Sequence, residues 1–131
     1  MSKVIFITSE KKINLSSYGI EQIMPNDYTY SIFPCLKDKK YIYDFENFNN
    51  SVSFKEFVTK LINHVQKDNN IVFLVCEETT DKQEINLFNK NLKNRYIINL
   101  SEDKSKLYDL IYRLENNSLI ASSEYSFTID Y

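Results

Sequence analysis

Continuous apolar runs alternate with amphipathic segments in the second half of the chain. Residues 71–76 form one such run, and residues 95–100 contain another. The segment after each run carries apolar side chains at helical spacing. Buried strands alternating with helices of about a dozen residues are typical of a parallel sheet covered by helices. Together with the apolar run at residues 3–8, the pattern predicts three central strands that are largely parallel.

Three segments have the sequence features of main helices. Ser53 and Glu56 have capping-box spacing, in which each side chain bonds a free backbone N–H of the first turn. Asp81 and Glu84 repeat that spacing before the second helix, and Ser101 is expected to cap the third. The third helix has its apolar stripe at Leu107, Leu110, Ile111 and Leu114. A weaker signal after Ser16 or Ser17 predicts a short helix with Ile20, Ile23 and Met24 on one face, ended by Pro25.

Strict alternation of apolar and polar residues predicts the remaining strands. Residues 28–34 and 40–45 both alternate, and a charged turn lies between them, which favours an antiparallel hairpin. The last segment also alternates: one side carries Tyr125, Phe127, Ile129 and Tyr131, and the other carries Glu124, Ser126, Thr128 and Asp130. This last segment is expected to be a half-buried edge strand, antiparallel to its neighbour.

The expected fold is therefore a single α/β domain over residues 1–131. We expect a mixed, mostly parallel sheet of about five or six strands, with three main helices, an antiparallel hairpin and a C-terminal edge strand. A chain of 131 residues can bury its own core, and 43% hydrophobic and 26% charged residues are ordinary for a folded domain.

Composition excludes several classes of function. The 16 basic and 18 acidic residues give a net charge of −2 without the basic excess of a nucleic-acid-binding domain, which disfavours nucleic-acid binding but leaves a local basic patch open. The sequence contains one glycine, which excludes the Gly-rich loops that cradle phosphates and dinucleotides. The short apolar run at residues 4–7 is below the length of a signal peptide or membrane span. With only Cys35 and Cys76 as cysteines, we expect a cytoplasmic protein with reduced thiols and no membrane association.

The first candidate site follows the buried strand at residues 71–76. Cys76, Glu77, Glu78 and Asp81 lie at its carboxyl end, where open α/β sheets bind ligands, and Thr8 and Ser9 could join them from the first strand. These groups suit a divalent cation or an activated thiolate. The alternative is that Asp81 caps a helix, the glutamates are solvated and Cys76 is a core residue. The single histidine, His64, and two separated cysteines do not make a zinc site, so we predict no metal or cofactor.

The second candidate site is a surface rich in tyrosine, which gives a large contact area with a polar end and suits protein interfaces. Its candidate residues are Tyr28, Tyr30, Tyr41, Tyr43, Tyr125 and Tyr131. The alternative is that these aromatic side chains fill the core. Ten tyrosines, a lone histidine and no complete catalytic constellation favour a small soluble protein-binding module that is not an enzyme. Inhibitors, immunity proteins and viral antagonists of host defence have this profile.

Two other functional hypotheses remain open. One is an enzyme or binding protein for a small ligand or metal, with its site around residues 76–81. The other is a homo-oligomer in which the C-terminal edge strand pairs with a second copy.

Overall fold

A computed structural model describes residues 2–91, 95–102, 104–119 and 126–131. The strands in these residues are β1 (Ser2–Ser9), β2 (Glu21–Ile23), β3 (Tyr41–Asp44), β4 (Ile71–Glu78), β5 (Arg95–Asn99) and β6 (Ser126–Asp130). The α-helices are α1 (Asp27–Ile32), α2 (Phe54–Leu61), α3 (Lys82–Asn91) and α4 (Ser105–Glu115). Short 3-10 helices cover Ser16–Tyr18, Pro34–Leu36 and Ile62–His64.

The six described strands form one mixed sheet in the order β2-β3-β1-β4-β6-β5. Only β5 and β6 are parallel, and α4 connects them. The α/β class is confirmed, but the prediction of a mostly parallel sheet is wrong: β1 and β4 are antiparallel, and β5 lies at the edge. An apolar run identifies a strand but determines neither its direction nor its place in the sheet, since Ile97 on the edge strand β5 is exposed.

The C-terminal strand is internal, so the prediction of an edge strand is wrong. β6 pairs with β4 on one side and with β5 on the other. A second copy of the chain cannot pair with β6 along its length, because both sides of the strand are occupied. The predicted antiparallel pairing holds for β4 but not for β5, which is parallel to β6.

The predicted hairpin is absent from the described residues. Its first half is α1, where the Asn26 side chain caps the helix by accepting a hydrogen bond from the Thr29 backbone N–H at 2.9 Å. Its second half is β3, which pairs with β1 and β2. The short helix expected to carry Ile20 and Ile23 is also wrong, since residues 21–23 form β2. The alternation of aromatic residues predicted a strand here, and the signal of Asn26 as a helix cap was therefore missed.

The three predicted main helices are present as α2, α3 and α4. Ser53 caps α2 by accepting a hydrogen bond from the Glu56 backbone N–H at 3.1 Å, and Asp81 accepts two bonds at the start of α3. The predicted stripe of α4 is buried. Its start was predicted too early, because Ser101 bonds Asn99 in a turn and the helix begins at Ser105.

The sheet has two unequal faces. On the first face, α2 packs against α4 over the larger part of the core. On the second face, a smaller apolar cluster lies beneath α1 and the 3-10 helix Pro34–Leu36, which contacts α3. The largest fully buried side chains are Tyr43, Phe57, Phe73 and Phe127. Because the first face holds most of the core, the second face has room for polar groups.

Candidate functional site

The second face of the sheet contains a concavity of about 440 Å³, which we call the polar concavity. Its floor consists of Thr8 on β1, Val72 and Leu74 on β4, and Ser126 and Thr128 on β6. The register places these side chains on one face, because Val72 pairs with Thr8 on one side and with Thr128 on the other. Its volume lies within the range of roughly 300–1,000 Å³ that is typical of small-molecule sites.

Two hydroxyl groups in this floor are buried without a partner. The side chains of Ser126 and Thr128 are 2% and 5% exposed. Neither Ser126 Oγ nor Thr128 Oγ1 has a hydrogen-bond partner among the described residues. A buried hydroxyl without a partner costs about 1–3 kcal/mol, so such groups are uncommon in protein interiors. Both hydroxyls could donate a hydrogen bond to a ligand and accept one from it.

The rim of the polar concavity carries charges of both signs. Lys37, Asp38 and Lys39 follow the 3-10 helix Pro34–Leu36, and Glu10 follows β1. Glu10 also lies 3.7 Å from Lys40 in an exposed ion pair. Two lysines and two carboxylates line the rim and Lys40 lies just beside it, so the net charge is small and the site favours a neutral or zwitterionic ligand over a strongly charged one.

Asn69 holds one side of this rim in place. Its Oδ1 accepts hydrogen bonds from the backbone N–H groups of Glu10 at 2.9 Å and Lys11 at 3.0 Å. Its Nδ2 donates to the His64 carbonyl oxygen at 2.8 Å. Beside it, the hydrogen bond from Lys11 holds the pKa of Asp68 below its usual value. The Asn69 side chain is 3% exposed and thus ties the end of β1 to the segment before β4.

A second concavity, of about 610 Å³, is larger than the polar concavity, and we call it the aromatic concavity. Stacked rings of Phe45, Phe48 and Phe54 line it. The Lys3 Nζ donates to the backbone oxygens of residues 117 and 119, at 3.4 and 2.9 Å, and partial burial lowers the pKa of Lys3. The aromatic rings stabilise one another and the lysine ties β1 to the end of α4, which is a structural role.

The structure separates the residues of the first predicted site. Cys76 is buried, and together with Glu77 it lines a small hollow. Glu78 lines the aromatic concavity instead, and Asp81 is an exposed residue that caps α3. No cluster of three or more potential metal ligands occurs in the described parts of the chain.

Thr8 and Ser9 lie away from that predicted site. Thr8 pairs with Val72, whereas Cys76 pairs with Val4. The prediction that they would lie beside Cys76 assumed parallel strands and is wrong. Because β1 and β4 are antiparallel, the end of β1 meets the beginning of β4, and Thr8 and Ser9 line the polar concavity.

The predicted tyrosine surface is not continuous. Tyr43 is 1% exposed, and its hydroxyl accepts a hydrogen bond from the Ile13 backbone N–H at 2.8 Å. Tyr30 is half-buried against the second-face cluster, and Tyr41 against the first-face core. Tyr28 and Tyr131 are exposed, at 67% and 63%, and Tyr125 lies outside the described residues. Binding through the exposed members stays a prediction.

Sequence reasoning missed Ser126 and Thr128 because they lie on the polar side of an alternating strand. One signal could have identified them. Positions 126 and 128 carry small hydroxyl side chains, whereas positions 124 and 130 on the same side carry carboxylates. Small uncharged polar side chains fit a covered sheet face, which long charged side chains would not.

In comparisons with known proteins, no family model, curated protein or solved structure matches this chain. Within the described residues, no helix has the length and hydrophobicity needed to cross a membrane.

Proposed function

We propose that this chain binds a small, neutral or zwitterionic molecule rich in hydroxyl or amide groups in the polar concavity. One observation carries the proposal: Ser126 Oγ and Thr128 Oγ1 are buried there without partners among the described residues. A ligand that bonds both hydroxyls removes the cost of burying them. Sugars and free amino acids have the required groups.

Two further features support this ligand class. Val72 and Leu74 on β4 lie opposite Thr128 and Ser126 and form an apolar strip beside them, which suits the carbon skeleton of a sugar or amino acid. The balanced charges at the rim favour a ligand without large net charge. The proposal is one of binding, because no described residue forms a hydrogen bond with either hydroxyl to act as its general base.

The test is a nuclear magnetic resonance titration of the ¹⁵N-labelled chain with glucose, galactose, ribose, glycine and serine, each taken to its solubility limit. We expect at least one probe to shift the backbone amide signals of Val72, Leu74 and Thr128 in a saturable way. Thr128→Val should weaken that binding about five- to tenfold, because one hydrogen bond to the ligand is lost.

Thr79→Val is the matched control, since Thr79 lies outside the polar concavity and its hydroxyl is bonded to Glu84 Oε2 at 2.6 Å. Its affinity for the probe should equal that of the wild type. The proposal fails if no probe shifts the floor residues, or if Thr128→Val binds as tightly as the wild type.

A second candidate function is the protein-binding module that the aromatic content predicts, of the inhibitor or immunity type. The observation that favours it is a pair of exposed tyrosines one turn apart on α4, Tyr108 at 68% and Tyr112 at 63% exposure. The test compares proteins captured by the wild type and by the folded variant Tyr108→Ser/Tyr112→Ser. A stoichiometric partner that only the wild type retains supports it, and equal capture by both removes it.

A further inference from the structure

The two cysteines are 41 residues apart in sequence but meet across the second face of the sheet. Cys35 belongs to the 3-10 helix Pro34–Leu36, and Cys76 lies on β4 beneath it. Their Sγ atoms are 3.8 Å apart and within hydrogen-bonding distance. The two cysteines, which are separated in sequence, therefore form a pair of neighbouring thiols in the fold.

The two thiols differ in accessibility and in acidity. Cys76 is 7% exposed, whereas Cys35 is half-buried and lines the rim of the polar concavity. The hydrogen bond with Cys76, helped by Lys39 against the opposing effects of burial and Asp38, lowers the pKa of Cys35. That same hydrogen bond, together with burial, raises the pKa of Cys76 well above its usual range. Cys35 is therefore the thiol that a reagent from solvent reaches first, and Cys76 is the shielded partner.

Space for a small oxidant exists beside the sulfurs. A hollow of about 20 Å³ is bordered by Cys35, Cys76, Phe33 and Phe88. A water molecule needs at least roughly 10–15 Å³ of such space. The hollow therefore admits only molecules that are about the size of water or slightly larger. Bulkier thiol reagents must come from the polar concavity and reach Cys35 first.

We propose that Cys35 and Cys76 are a redox-active pair that hydrogen peroxide converts to a reversible intramolecular disulfide. In the first step the Cys35 thiolate attacks peroxide: an S–O bond forms, the O–O bond breaks, and the departing hydroxide becomes water with the proton that the Cys35 thiol released. In the second step the Cys76 sulfur attacks the Cys35 sulfenic acid: the S–S bond forms and the S–O bond breaks. The departing hydroxide takes the Cys76 proton as water. The dithiol gives up two electrons, and one peroxide becomes two waters.

Any backbone movement that accompanies disulfide formation should fall on the 3-10 helix rather than on the strand. The sulfurs must approach from 3.8 Å to a bond length of about 2.05 Å. β4 is held on both sides by β1 and β6, whereas Pro34–Leu36 is a three-residue turn. Pro34 and Cys35, which would move with this helix, lie at the rim of the polar concavity. The disulfide itself does not depend on the proposed ligand site.

The test oxidises the reduced full chain with equimolar hydrogen peroxide at low protein concentration. Mass spectrometry without reductant should show a loss of two hydrogens and a linked peptide pair containing Cys35 and Cys76, both reversed by dithiothreitol. In Cys76→Ser, dimedone should trap a sulfenic acid on Cys35, whereas Cys35→Ser should give no adduct in the same time. Far-ultraviolet circular dichroism establishes that each variant is folded.

A second measurement uses only the wild type. Iodoacetamide should alkylate Cys35 at least about tenfold faster than Cys76 in the folded chain, and the two rates should become equal in urea. The proposal is overturned if peroxide leaves both thiols free, if the only disulfides link separate chains, or if both cysteines react at one rate when folded.

Discussion

Replacing Thr128 with valine should stabilise the protein, although Thr128 is a buried residue of a central strand. The Thr128 hydroxyl is desolvated and has no hydrogen-bond partner among the described residues. Removing an unsatisfied buried hydroxyl recovers part of its cost of about 1–3 kcal/mol. The new methyl group would lie between Val72 on β4 and Ile97 on β5, the two residues that pair with position 128.

From these terms we expect Thr128→Val to raise the free energy of unfolding by about 1–2 kcal/mol. For a domain of this size that gain corresponds to a rise in Tm of roughly 3–8 °C. Urea denaturation followed by circular dichroism measures it, with a higher midpoint and an unchanged slope as the expected signature.

The same substitution at Thr79 is the matched control. The Thr79 hydroxyl donates to Glu84 Oε2 at 2.6 Å and accepts from the Asp81 backbone N–H at 3.2 Å. Thr79→Val should therefore lower the free energy of unfolding by about 1 kcal/mol. If Thr128→Val is instead as destabilising as Thr79→Val, the Thr128 hydroxyl is bonded within the protein and the argument for the polar concavity is refuted.

Three other substitutions test the fold itself, each by urea denaturation. Gly19→Ala should lower the free energy of unfolding by more than the roughly 1–2 kcal/mol that a left-handed backbone costs other residues, because φ is +77° and an added Cβ would lie 2.3 Å from the Asn47 carbonyl oxygen. A loss below that range contradicts the turn geometry. Ser53→Ala should cost about 1 kcal/mol by removing the cap on the Glu56 N–H, while Ser53→Asp should retain stability. Leu110→Ala should cost about 2–5 kcal/mol because Leu110 is 0% exposed in the core, and a near-neutral result would place α4 elsewhere.

If both the stability and the ligand predictions hold, Thr128 carries a trade-off between folding and binding. A hydroxyl that weakens the fold and strengthens ligand binding is the signature of a site residue. The valine variant separates the two effects, since it should be more stable and bind less. A variant that gains stability and keeps full affinity for the probe would identify the concavity as a packing defect only.

Local features of the sequence determined much of the secondary structure. The capping signals at Ser53 and Asp81 located the starts of α2 and α3, because a cap depends on residues within one helical turn. The apolar runs likewise identified β1, β4 and β5 as strands. The segment at residues 28–34 was wrongly predicted to be a strand. Asn26 caps a helix there, but tyrosines at every second position give the segment the alternation typical of a strand.

Only the tertiary structure decided the strand order and the candidate sites. Strand direction and neighbours depend on pairings between residues far apart in sequence, so the residues of β6 alone could not predict that β4 and β5 lie on its two sides. Because β6 is internal, its polar side is not exposed to solvent as expected. It forms part of the buried floor of the polar concavity, where the Ser126 and Thr128 hydroxyls lie. The contact between Cys35 and Cys76 arises in the same way, because it exists only once the 3-10 helix packs on β4.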